Sequence, residues 1–183
     1  MKNLIKKETL LFSICILIHV QLFCQVEKEK TFTKDAGEIR IDALDFVLFT
    51  AIEMTYERVQ DNDTGYGLSV YVNPRSEDTF YEKFVITPFF RLYFLSDKEF
   101  GSNGYFVEFY SKFASGKNYE IDFYNDTSEN YFDISLGIGI GRKWIHKKGF
   151  TLETSFGIGR NLGFDKNSPD FAIRGGVALG YRF

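Results

Sequence analysis

The sequence predicts an all-β fold: an antiparallel up-and-down transmembrane barrel of about eight strands. Three observations carry this. Among 183 residues there are 21 Phe, 11 Tyr and one Trp, 18% of the chain, but only 2 Met. Phe and Tyr, with Val, Ile and Thr, favour strands, and chains that stay disordered are poor in aromatics. From residue 50 onward bulky apolar residues alternate with polar or small ones. The alternation runs to the last residue, in Val177-Ala-Leu179-Gly-Tyr181-Arg-Phe183. The length allows one ordinary domain, and a 44% hydrophobic fraction argues against a polytopic helical membrane protein.

Residues 1–24 read as a secretory signal peptide: Lys2, Lys6 and Lys7, then an apolar run from Leu10 to Cys24, then a charged stretch. The run is short of the ~20 residues of a membrane-spanning helix, though an uncleaved anchor is the alternative. Phe23 is the wrong residue before Cys24 for a lipoprotein. Both cysteines, Cys15 and Cys24, lie in this segment, so the cleaved chain would have no disulfide and no thiolate metal site. Cleavage removes three Lys and one Glu, leaving 19 basic and 24 acidic residues and a net charge of −5. That balance disfavours nucleic acid as a partner. Residues 25–38 read as a polar leader, and 39–183 as the barrel.

Strands are expected around 50–60, 65–73, 84–95, 104–113, 130–141, 150–159 and 171–183. The stretch 39–49 reads as the eighth, since an even count closes an antiparallel barrel. Its alternation is poorer, so a short helix or plug is the alternative. The longer connections, Asn73–Lys83, Ala114–Glu129 and Asn161–Pro169, fall at one end, as outside loops do in outer-membrane barrels.

The face opposite the apolar one decides between lipid outside and water outside. It carries Ser135, Gly137, Gly139, Gly141, Ser155, Gly157, Gly159, Gly176, Ala178 and Gly180. Small residues make a poor solvent-facing strand surface but suit a narrow inner wall. Charges on this face nearly balance: Glu53, Glu57, Glu108, Asp133 and Glu153 against Arg91, Lys112, Arg174 and Arg182. Arg91 and Glu108 are expected side by side, with Lys112–Asp133 and Glu153–Arg174 as looser pairs. The expectation is a polar network that fills the lumen, because a buried charge without a partner is costly. An ion or proton path is the competing reading, disfavoured because eight strands leave no open channel.

The ending, with Val177, Leu179, Tyr181 and Phe183 on one face, resembles the recognition signal of bacterial outer-membrane β-barrel proteins. Ile39–Val59 (IRIDALDFVLFTAIEMTYERV) also looks like the opening of uncharacterised small outer-membrane barrel families. The resemblance covers about 39–183. It implies location in the cell outer membrane, lipid as the surrounding partner, and docking on the barrel assembly machinery through the last strand, which could add to a sheet edge. A porin-like fold, a monomer and no cofactor are expected.

Some barrels of this class are enzymes that modify lipid with His, Ser and an acid, or cleave peptides with Asp and His. Past residue 24 the only histidine is His146, in the basic turn Arg142-Lys-Trp-Ile-His146-Lys-Lys148, which is expected on the periplasmic side with Trp144 as an interfacial anchor. Gly137-Ile-Gly139-Ile-Gly141 lacks phosphate-loop spacing and sits in a strand. Glu120, Asp122, Asp126 and Glu129 have no fixed Ca²⁺-loop pattern. No enzyme and no metal site are expected. Tyr119, Phe123 and Tyr124 are the candidate loop contacts. The role read from the sequence is structural or adhesive. A soluble exported lipid-binding barrel of lipocalin type and a lipid-modifying barrel enzyme are the alternatives.

Overall fold

The structure is a computed structural model and describes residues 36–61, 63–74, 82–94, 101–121, 126–164, 166 and 168–183. The expected signal peptide and most of the leader lie outside these residues. Eight strands follow one another around a closed, all-antiparallel barrel: β1 (Gly37–Asp42), β2 (Ile52–Val59), β3 (Thr64–Val72), β4 (Glu82–Phe94), β5 (Gly104–Ile121), β6 (Asp126–Ile145), β7 (Phe150–Asn161) and β8 (Phe171–Arg182). β1 pairs with β8, and Gly37 and Phe183 exchange N–H···O bonds of 3.1 and 2.9 Å that complete the closure. Gly37 has no side chain because the Phe183 ring lies where a Cβ would go. The expected antiparallel barrel is the fold observed.

Two elements differ from expectation. The stretch 39–49 is half strand and half helix. β1 stops at Asp42, and a single π-helical turn, Asp45–Phe49, leads back to β2 through Thr50 in the left-handed conformation. The stop is local: the Asp42 carboxylate accepts the N–H groups of Leu44 and Asp45, an arrangement that competes with strand continuation. The segment 114–129, expected as a loop, is mostly strand. β5 and β6 run 18 and 20 residues and stay in register from Gly104↔Lys143 to Ile121↔Asp126. Among the described residues β4 pairs with β5 as far as Glu82↔Gly116. Thr, Tyr and Ile in KNYEID and DTSENY permit strand, and the charges there had suggested a loop.

Polarity is inverted relative to a water-soluble barrel. On the outer face, Ile41, Met54, Leu68, Phe90, Phe109, Ile138, Ile158 and Leu179 are each exposed, from 41% to 55%. Their neighbours along each strand point inward and are buried or half-buried, and many are charged. At the end that holds Gly37 and Phe183, aromatic side chains ring the outer surface. Phe94 stacks on Tyr105, Phe150 meets Tyr181 edge-on, and Arg142 lies over the Tyr105 and Trp144 rings. Such belts are the mark of a membrane–water boundary.

Candidate functional site: the lumen

The lumen is built by the inward residues of all eight strands, and its two halves differ. In the half nearest Gly37 and Phe183, Glu38, Glu57, Glu108 and Glu153 meet Arg40, Arg91, Lys143 and Arg182, all buried. Arg91 is the hub. Its Nε donates to Glu108 at 2.7 Å, Nη1 to Glu57 at 2.9 Å and to Glu153 at 2.7 Å, and Nη2 to Glu153 at 2.9 Å. The guanidinium lies 4.5 Å from the Phe89 ring centre and 4.2 Å from that of Phe106, so its faces rest on aromatic π-clouds while its edge makes the ion pairs. Lys143 Nζ bridges Glu38 at 2.8 Å and Glu57 at 2.9 Å, 4.8 Å from the Tyr93 ring centre. Arg40 bonds Glu57 at 2.6 Å and also pairs with Glu38, and Arg182 Nε donates to Glu38 at 2.6 Å. Four carboxylates against four cations leave this cluster neutral, which is what its burial demands.

Glycines on β6 and β3 make room for the lumen aromatics. A Cβ on Gly137 would collide with the Tyr110 ring, one on Gly141 with the Phe106 ring, and one on Gly67 with the Phe89 ring. The small-residue wall read from the sequence is therefore the counterpart of large side chains on β4 and β5.

Toward the other end the filling thins. Arg174 donates to Glu108 at 3.0 Å, to Glu53 at 2.9 Å and to Ser69 at 2.5 Å. Beyond it opens a cavity of about 570 Å³ with mostly apolar walls. At its rim Lys112 pairs with Glu82 at 2.6 Å, and the Asp133 carboxylate accepts the backbone N–H of Ile134 at 2.7 Å and the Ser168 hydroxyl. In the π-helical turn, Asp45 lies at the wall of this cavity beside Glu53.

The barrel interior holds all nine charged residues expected there. Arg91 and Glu108 are direct cross-strand partners. The two looser pairings are replaced: Lys112 takes Glu82 instead of Asp133, and Glu153 takes Arg91 while Arg174 takes Glu53 and Glu108. Chain proximity suggested those pairs, but Lys112 turns to the neighbouring strand on its other side, and Arg91 and Arg174 reach across a narrow lumen. Glu38, Arg40 and Lys143 were missed. Their signal was present, since Glu38-Ile-Arg40-Ile and Lys143-Trp-Ile145 continue the alternation on either side of the strands expected there. Leu179, Tyr181 and Phe183 face outward, with Val177 half-buried beside them. Tyr119 lies in β5, and Phe123 and Tyr124 lie outside the described residues. His146 sits in the β6–β7 turn at the end that holds Gly37 and Phe183, where its backbone N–H donates to Phe150 O at 2.8 Å and its Nδ1 accepts the Lys148 N–H at 3.2 Å. Among the described residues no group of three or more His, Cys, Asp or Glu side chains is placed to hold a metal ion.

No family model and no curated protein matches the sequence. Among solved structures, the chain is similar to the N-terminal β-barrel domain of Pseudomonas aeruginosa OprF. The TM-score is 0.58 at 15% identity, over 82% of this chain and 98% of that one. The two share the eight-stranded closed barrel. At this identity the likeness speaks for fold alone.

Proposed function

We propose that the chain is an integral outer-membrane barrel whose lumen is sealed by its charge cluster, with a structural or adhesive role at the cell surface. The observation that carries this reading is the inverted polarity: charges inside, bulky apolar side chains exposed on every strand. A lipocalin-type soluble barrel would leave that apolar surface in water, where it costs about 25 cal/mol per Å². The aromatic belt, the likeness to an OprF barrel and the aromatic C-terminal strand support the same setting. Docking of Val177, Leu179, Tyr181 and Phe183 on the assembly machinery belongs to this proposal, as does a monomeric state. So do the absence of catalysis and of any cofactor: the turn that holds His146 lies at the opposite end of the barrel from the cavity. The surface role rests on the β5–β6 hairpin, whose strands run 18 and 20 residues.

The test is fractionation of cells that express the full chain. The expected result is retention in the membrane pellet through carbonate washing, with heat-modifiable migration on gels. Release by carbonate or high salt sinks the membrane reading. Steady ion conductance in planar bilayers would contradict the sealed lumen.

A further inference from the structure

Among the described residues the wall of the barrel is incomplete on one side. β1 pairs with β8 only from Glu38↔Arg182 to Asp42↔Ala178. β8 continues to Phe171, and no described strand pairs its Phe171–Val177 half on that side. Buried backbone groups need partners, and here a side chain supplies one of them. Lys112 Nζ reaches the Ile173 carbonyl at 3.4 Å from across the lumen.

The cavity borders this gap. Ile173 and Arg174 are successive residues of β8, so their side chains point to opposite faces of the wall. Ile173 is 65% exposed on the outer face, yet Lys112 reaches its carbonyl from the lumen, and both Ile173 and Arg174 line the cavity. Next to them is Gly176, where the Asp42 carboxylate occupies the space of a Cβ. Beside the cavity the π-helical turn exposes Phe46 and Val47.

We propose that this gap is a lateral portal through which a single acyl chain of a membrane lipid enters the lumen cavity, tail first. The inference rests on the membrane reading above. The portal opens onto the apolar outer face, so its mouth is continuous with the bilayer. The cavity is within the usual size range of small-molecule sites, and its walls are mostly apolar. Asp45, Glu53 and Glu82 outnumber Lys112 and Arg174 there, and both cations are already paired. The chemistry therefore favours a hydrocarbon tail over an anionic headgroup.

The probe is palmitic acid that carries a diazirine on its chain, mixed into phosphatidylcholine vesicles that hold the folded full chain. After irradiation, adducts are located by peptide mass spectrometry. The portal predicts adducts on outward residues such as Leu136 and Ile158, and also on Ser69, Val85 or Thr87 inside the lumen. Thr87→Trp, which fills the cavity, should cut the interior adducts at least tenfold and leave the outward ones unchanged. Should Thr87→Trp fail to fold, Ser69→Phe serves the same purpose. Adducts on outward residues alone in the wild-type chain overturn the portal while the membrane reading stands. Interior adducts that persist in a folded, filled variant also overturn it. Absence of adducts on the outward residues overturns the membrane reading itself.

Discussion

The two halves of the lumen are lined by the same strands, yet one is packed with ion pairs and the other holds a cavity and a broken wall. The packed half is where all eight strands are paired on both sides, and where Phe89, Tyr93 and Phe106 wedge the charges together. The open half begins where β1 ends at Asp42. Closure of the hydrogen-bond ladder and filling of the interior thus go together. Where the ladder is complete, long charged side chains neutralise one another across the lumen. Where it is not, the wall gives way to side-chain capping and space.

The largest expected effect breaks the packed half. Arg91→Ala leaves Glu57, Glu108 and Glu153 short of a shared cation in a fully buried cluster. Removal of one partner from a buried ion pair costs about 3–5 kcal/mol. Urea unfolding in detergent micelles, followed by gel mobility, should show a loss of that size or no folded barrel. Arg174→Ala, the matching change beside the cavity, should cost only about 1–2 kcal/mol. There Glu108 keeps Arg91, and Glu53 keeps Ser69 and Asp45. Equal losses would erase the distinction between the halves.

Next in size is the fit between glycine and aromatic. Gly137→Ala drives a methyl group into the Tyr110 ring and should destabilise by about 1–3 kcal/mol. Combined with Tyr110→Leu, the penalty of the alanine should largely vanish, because the two sites share one space. Additive losses in the same unfolding assay would mean that the glycine is there for another reason.

Much of this was legible in the sequence because a strand has a period of two. Alternation alone assigned Phe90, Ile138 and Leu179 to one face and Arg91, Glu108 and Glu153 to the other. The cross-strand pair Arg91–Glu108 followed from distance to a shared turn. What could not be read depended on reach across the barrel. Register places Cα atoms, but an Arg extends several ångströms, so Glu153 on β7 finds Arg91 on β4 and Arg174 on β8 finds Glu108 on β5. The stop at Asp42 was equally hidden. Ile39-Arg-Ile41 alternates like any strand, and only the carboxylate turned back on the next N–H groups ends it.

The most direct test of the central claim, that the apolar face meets lipid, uses a tryptophan on the barrel exterior. With Trp144 replaced by Phe, Ile138→Trp places the probe on the exposed band of β6. In vesicles whose phospholipids are brominated in mid-chain, its fluorescence should be strongly quenched while iodide in the water leaves it unaffected. A folded barrel in those vesicles whose introduced tryptophan responds to iodide and not to bromine would contradict the account.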